Sequence, residues 1–369
     1  MSSRYTIALA VPADDAQLRA RMAEDRMEGS IAVSFRREPS YFAGARVQGE
    51  TTQVVKCVEN ASNRIVGLGS RSTAQAWVDG SARRIGYLAD LRGAPDVRRG
   101  TLLARGFRLL HQLHQHDPVP FYTTVIYEGN APALATLVGG RAGLPIYQDA
   151  GRLLTPALHL DFPRRAIRLR GIEIGRGAPA ELPGIVEFLN RTLRARQFPP
   201  VYRQQDFGPG RFANLAAHDF FVARSDGRIV GTLAAWDQAG IRQTHVERYS
   251  TPLSLLRPLY NIASRITPLR PLPAVGARVP CVYLACAAIQ GDNVDVFRGL
   301  LHHACNVLRR GPWHFAIASL HERDPLAPVL GECRRIEAAG RLFVVHYPED
   351  AAAVVALEPR IPYVEAGCL

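Results

Sequence analysis

Apolar residues recur along the 369-residue chain in two rhythms, alternation in short β-branched runs and a three-and-four spacing in longer stretches. Ala13 to Met27 reads as an amphipathic helix entered through Pro12, with Asp14 and Asp15 in the first turn, where carboxylates favour the helix dipole. Gln53 to Val58 and Ile65 to Arg71 read as a hairpin across the polar turn Glu59 to Arg64, and a third strand, Ala74 to Val78, turns at Asp79-Gly80. Arg84 to Arg92 is a mostly apolar, buried strand stopped by Gly93 to Val97. The helix after it carries Leu103, Phe107 and Leu110 on one face, a stripe that packs on a sheet. Phe121 to Tyr127 is the next strand, and Asn130 to Val138 a short helix capped by Asn130. A strand, helix and strand with a crossover of this length predict a parallel pair.

The second half repeats the order. Phe220 to Gly231 copies the hairpin, Cys281 to Ile289 the buried strand, Val294 to Leu308 the helix and His314 to Leu320 the following strand. Tyr87 follows Gly67 by 20 residues and Tyr283 follows Gly231 by 52, so the second copy holds 32 more. That insertion includes Tyr249 to Tyr260, which reads as helical and apolar enough to pack on something. The texture changes near Leu160 to Gly171, where a proline and a cluster of arginines precede a new apolar strand. The expected organisation is an N-terminal domain over 1–160, a linker over 161–171 and a C-terminal domain over 172–369.

A hairpin, a buried strand, a basic turn, an amphipathic helix, a strand and a short Asn-capped helix, in this order, resemble a Gcn5-related N-acetyltransferase (GNAT) domain. The resemblance covers most of the first half and implies an α/β fold of two tandem GNAT-like domains, each a mixed central sheet flanked by helices. In that family a bulged fourth strand hydrogen-bonds the pantetheine arm, and the next turn offers backbone N–H groups to the coenzyme A pyrophosphate at a helix N-terminus. Carried over, these places fall on Leu91, Arg92, Gly93, Arg98, Arg99, Gly100, Thr101, Leu102 and Leu103, with Asn130 heading the later helix. The family's turn reads Arg/Gln-x-x-Gly-x-Gly/Ala. Arg98 takes the first place, Thr101 and Leu103 stand at the two later ones, and Gly100 stands one position early. The resemblance further implies acetyl-CoA as cosubstrate, no metal, and transfer of an acetyl group to an amine, on a small molecule or a peptide.

Such chemistry uses a base and a tyrosine that protonates the departing thiolate. Glu128, at the end of its strand, and Asp90, inside the buried strand, are the candidate bases. Asp90 also reads as the partner of Arg92 in a structural ion pair, because a carboxylate in a buried strand is costly unless paired. The family's tyrosine position falls on Leu137 or Val138, and Tyr147 is the candidate substitute, against the alternative of an exposed tyrosine beside Pro145. Tyr41 and Phe42 are candidates for lining an acceptor pocket, with core packing as the alternative. In the second copy Gln290-Gly-Asp-Asn293 replaces the basic turn, so no coenzyme is expected there. Its expected role is to complete the fold, shape the acceptor site or hold a homodimer. His111, His114 and His116 read as a solvated helix end rather than a metal site.

Composition narrows the classes. Hydrophobic residues make up 47% and charged ones 21%, the balance of a folded globular chain. The formal charge is +12, nearly all of it arginine, which attracts anions but names no partner. Arginines are scattered and no basic helix interleaved with aromatics stands out, so nucleic acid is not favoured. The six cysteines form no Cys-x-x-Cys pair and read as reduced core thiols. No segment approaches the roughly 18 apolar residues of a membrane span, so a cytoplasmic protein with no membrane partner is expected. Two other readings remain beside the acyltransferase: a binding or regulatory protein on the same scaffold, and an aminoacyl-tRNA-dependent transferase.

Overall fold

A computed structural model of the chain describes residues 4–97, 101–140 and 143–369. The first half supplies β1 (Tyr5–Leu9), α1 (Asp15–Glu24), β2 (Ile31–Arg36), α2 (Tyr41–Ala45), β3 (Thr51–Glu59), β4 (Arg64–Val78), β5 (Ser81–Gly93), α3 (Leu102–His116), β6 (Tyr122–Tyr127), α4 (Ala131–Leu137), β7 (Ile146–Leu154) and β8 (Ala157–His159). The second half supplies β9 (Ile172–Arg176), α5 (Leu182–Leu193), β10 (Phe220–Ser225), β11 (Arg228–Trp236), β12 (Gln243–Tyr249), α6 (Thr251–Ala263), β13 (Cys281–Ile289), α7 (Val294–Leu308), β14 (Phe315–Ile317), β15 (Leu320–His321), β16 (Arg335–Ile336) and β17 (Ala339–His346).

Most local expectations hold, and the departures have local causes. The two strands expected within 65–78 are one, because the hydroxyls of Ser72 and Thr73 bond across to Thr52 and Thr51 at 2.9 and 2.7 Å, so these polar residues continue the ladder. The first helix is shorter than expected. Pro12–Asp14 forms a 3₁₀ turn closed by Val11 N donating to the Asp14 carboxylate at 2.7 Å, and Arg26 and Met27 turn back to pair with β2. The β5–β6 pair is parallel, as the crossover predicted.

Two mixed sheets result, and they exchange strands. The first runs β1-β3-β4-β5-β6-β17-β7-β15 and the second β9-β10-β11-β13-β14-β8-β16. Thus β17, from the end of the chain, lies between β6 and β7, with Val344 opposite both Thr123 and Gln148. In return β8 lies between β14 and β16, with Leu158 opposite Ala316 and Arg335. Leu342-Phe-Val-Val345 is an unbroken apolar run, the pattern of a strand covered on both faces, and all four residues are buried. Residues 161–171 hold no helix or strand and are tied to α7 by reciprocal bonds between Asn306 and the Arg164 backbone, 2.8 Å each. Either side of that stretch, each sheet is completed by the other half.

Further contacts lock the halves together. β12, in the second copy's insertion, pairs with β2 of the first half. Past the end of β17, Asp350 meets α3 through a relay: Arg71 Nε donates to Tyr122 Oη (3.0 Å), Tyr122 Oη and His114 Nδ1 share a hydrogen bond (2.9 Å), and His114 Nε2 faces Asp350 Oδ2 at 3.0 Å. His114 is therefore buried in this relay, not in the solvated helix end expected for the histidine cluster. Tyr347 stacks on His111 with ring centroids 4.2 Å apart.

Residues 1–160 produced alone should show no cooperative urea transition by circular dichroism, since β6 and β7 would each keep an unpaired edge where β17 belongs. Co-production with residues 161–369 should restore the transition. A fragment that unfolds cooperatively by itself would contradict this dependence.

Candidate functional site

β5 is the strand from which the site is built. Pairing with β4 runs in step from Ser81 to Ala89 opposite Ser70, then slips, and resumes at Arg92 opposite Leu68. Asp90 and Leu91 are the bulged residues, and Asp90 takes the left-handed conformation (φ +56°) that few side chains tolerate. On its other edge β5 pairs with β6 only at Gly86–Tyr122 and Tyr87–Thr123. Beyond these pairs Thr124 Oγ1 reaches the Leu88 carbonyl at 2.7 Å, and no further backbone pair joins the two strands. Gly86 is required here, because a Cβ would stand 2.0 Å from the Tyr122 ring.

What holds Asp90 in that conformation is charge. Its carboxylate receives Arg37 Nη2 and, at 3.0 Å, the Tyr41 hydroxyl. Arg37 is buried, and its Nη1 also donates to the Gly44 carbonyl at 2.5 Å. Burial alone would raise the Asp90 pKa, but the adjacent Arg37 outweighs it and holds the group below the usual carboxylate range. The expected partner, Arg92, is instead 3.8 Å from Asp25. The correction is tertiary: Arg37 is 53 residues away in sequence, and the α2 segment brings it under the bulge.

The other predicted residues take varied places. Leu91 is exposed, and Arg92 and Gly93 finish β5 opposite Leu68 and Gly67. Thr101 is the N-cap of α3 without a side-chain cap bond, Leu102 packs beside Val66 and Val97, and Leu103 packs beside Leu88. Arg98, Arg99 and Gly100 lie outside the described residues. Asn130 caps α4, its Oδ1 accepting from Ala133 N at 3.3 Å. Glu128 follows the last residue of β6 and accepts from Arg152 Nε at 2.8 Å. Tyr147 is not exposed beside Pro145. It packs against Phe343 of the exchanged strand, centroids 5.9 Å apart, and burial pushes its phenol well above the ordinary value. Tyr41 is wholly buried, and Phe42 packs edge-on against it. Among the described residues no group of three or more His, Cys, Asp or Glu is arranged to hold a metal.

The second copy repeats the bulge and treats it differently. Cys286 and Ala287 fall between the pairs Ala285–Ala234 and Ala288–Thr232, and Cys286 has φ +51°. Its backbone N–H donates to the Glu365 carboxylate at 3.0 Å, and Tyr202 and Tyr363 donate to the same carboxylate at 2.7 and 3.0 Å. Burial raises the Glu365 pKa despite these donors. Sequence spacing could have found this bulge, since Cys286 lies three residues after Tyr283 as Asp90 lies three after Tyr87. Nothing local marks Glu365. Its segment passes between the two bulged strands, where a cavity of about 60 Å3 is lined by Gln48, Tyr87, Thr123, Arg211 and Glu365. The Gln48 amide is buried and its nitrogen and oxygen find no hydrogen-bond partner among the described residues.

No protein-family model matches the chain, and neither does any curated protein. Solved structures do. A GCN5-related N-acetyltransferase from Sphaerobacter thermophilus shares 12% identity over 99% of each chain, with a TM-score of 0.54. N-myristoyltransferase from Saccharomyces cerevisiae, solved with bound myristoyl-CoA, shares 8% over 94% of this chain and 83% of its own, with a TM-score of 0.60. The GCN5-related glucosamine N-acetyltransferase region of a fungal multi-domain β-N-acetylglucosaminidase shares 11% over 93% of this chain, with a TM-score of 0.63. This chain spans only 38% of that fungal protein. At such identities the likeness concerns the fold. The chain has the GNAT fold twice over, each copy a mixed sheet flanked by helices.

Asp90→Ala should cost about 3–5 kcal/mol in urea unfolding, because it leaves Arg37 buried without a counter-charge. A loss under 1 kcal/mol would contradict the pairing. Glu365 binds its proton more tightly folded than unfolded, so it lowers stability as pH rises from the ordinary glutamate value through the raised one. Glu365→Gln should flatten the stability profile across that window and stabilise the protein above it. Profiles that coincide would remove Glu365 from the account.

Proposed function

We propose that the chain is an acyl-CoA-dependent N-acyltransferase that moves an acetyl group to an amine, with its one active centre on the first sheet. The observation that carries this reading is the end of backbone pairing between β5 and β6 beside the Asp90–Leu91 bulge. In this reading the strand edge left without a backbone partner there receives the coenzyme. An extended pantetheine arm has the shape and hydrogen-bonding groups for such an edge. In this reading Leu91, Arg92 and Gly93 line the arm. The diphosphate is assigned to the N-terminal turn of α3 from Thr101 to Leu103, with Arg98, Arg99 and Gly100 before it in sequence, and Asn130 to the neighbouring helix end. A helix N-terminus attracts phosphate through free amides and its dipole, and the arginines add charge where the family's glycines are lacking.

Bound acyl-CoA supplies the activated thioester, and the protein's part is orientation and proton handling. Asp90, held as a carboxylate by Arg37 and Tyr41, is unsuited to take a proton near neutral pH, and we read it as a positioning residue that fixes the bulge. Glu128, just past the end of β6, is then the base. Tyr147, partly buried against Phe343, stays protonated, which is the form needed to give a proton to a leaving thiolate. The acceptor amine is assigned to the cavity beside Tyr87, where the free Gln48 amide offers a donor and an acceptor, with Tyr41 and Phe42 shaping the wall behind the bulge. The second copy serves as scaffold, since its bulge amide is already taken by Glu365.

Thermal stability with and without acetyl-CoA tests the reading. A ligand held only by the native state stabilises it by about 2.7 kcal/mol at a hundredfold excess over Kd, a rise of several degrees for domains of this size. The rise should largely disappear in an Arg98→Ala, Arg99→Ala double variant. No shift at millimolar acetyl-CoA would sink the proposal.

A further inference from the structure

The second copy's insertion exposes an apolar surface that the acyltransferase reading does not use. α6 was expected to pack on something, yet none of its residues is buried. Leu255, Leu259 and Ile262, spaced by four and three residues, share one face and are 75%, 67% and 60% exposed. Leu256 flanks them, and Ile266, 88% exposed, extends the face just past the helix. The opposite side is tied down: Asn261 exchanges bonds with the Leu272 backbone at 2.8 and 3.1 Å, and Tyr249 Oη donates to the Pro273 carbonyl at 2.8 Å. α6 is thus held on a folded base with its leucines turned outward. Contiguous apolar surface of this kind marks an interaction site.

Charge decides what covers it. From Arg248 to Gly291 the sequence holds five arginines (Arg248, Arg257, Arg265, Arg270 and Arg278) and no Asp or Glu. Arg248 pairs with Glu28 at 2.8 Å. Arg257, Arg270 and Arg278 bond backbone carbonyls, and Arg265 and Arg278 are exposed. None of these four forms an ion pair with a carboxylate among the described residues. The neighbouring carboxylates Glu28 and Glu247 are already paired with Arg248 and Arg36, so a second copy of this face would bring arginines against arginines, whereas an anionic surface would satisfy both the leucines and the charge.

We propose that α6 is an in-plane anchor that lays Leu255, Leu259 and Ile262 into the headgroup boundary of an anionic lipid bilayer, with Arg265 and Arg278 meeting the lipid phosphates. The expectation of no membrane partner rested on the lack of a spanning segment, and a helix lying in the interface needs none. Among the described residues no helix is long and apolar enough to cross a membrane.

Co-sedimentation with vesicles tests the anchor independently of any acyl transfer. The full chain should partition onto phosphatidylglycerol–phosphatidylcholine vesicles and at least tenfold less onto phosphatidylcholine alone. A Leu259→Asp, Ile262→Asp double variant should lose at least tenfold in partition while keeping the wild-type melting temperature, since both side chains are exposed. In a separate Leu259→Trp variant, the emission added over wild type should shift to the blue with anionic vesicles. Three results would overturn the proposal: no partition at low salt, equal partition of wild type and double variant, or no blue shift. A dimer of wild type that the double variant dissociates would assign the face to a second copy and overturn it as well.

Discussion

The placement of β17 between β6 and β7 is the constraint on which the rest of the structure depends. Backbone groups in the middle of a sheet must be paired, and the first half has no strand of its own for that gap. Its last strand, β8, serves the second sheet in exchange. The two GNAT copies are therefore not independent bodies joined by a tether. The exchange also explains why the core under α3 and α4 contains Phe343, Val345 and Tyr347, residues from the far end of the sequence, and why His114 is buried.

Within that frame the two copies carry the same bulge at equivalent positions and use it for opposite ends. In both, one residue with positive φ interrupts the ladder after a tyrosine three positions earlier. In the first, the strain at Asp90 is offset by a buried arginine and a tyrosine hydroxyl, which hold the strand's shape. In the second, the amide of Cys286, released from the ladder by the bulge, is taken by Glu365, itself held by two tyrosines. The difference between the two bulges rests on these few polar contacts rather than on the fold, which is shared.

Arginine does several physically distinct jobs in this chain. Arg37 is a buried counter-charge, Arg71 is the first donor of a relay, and Arg270 bonds carbonyls that include those of Arg309 and Gly311 after α7. Those of the insertion surround an apolar helix without carboxylates. A net charge of +12 therefore predicts little by itself. What each guanidinium does follows from how far it is removed from water and which carboxylate, if any, shares its site.

Local pattern carried much of the fold. Periodicity located β13 and α7 to the residue, the Asn130 cap, the Asp79-Gly80 turn and the parallel β5–β6 pair, because backbone conformation and amphipathic spacing are properties of neighbouring residues. The repeat of Tyr87 in Tyr283 aligned the two copies for the same reason. Strand exchange was not legible, since β8 and β17 read alike whichever sheet receives them, and only chain-wide packing chooses. The Asp90 pairing with Arg37 instead of Arg92, the capture of Cys286 by Glu365, the burial of His114 and the exposure of α6 were decided in the same way. Sequence determined which residues are strands, helices, charges and donors; tertiary structure decided which of them meet, because those contacts join residues tens to hundreds of positions apart.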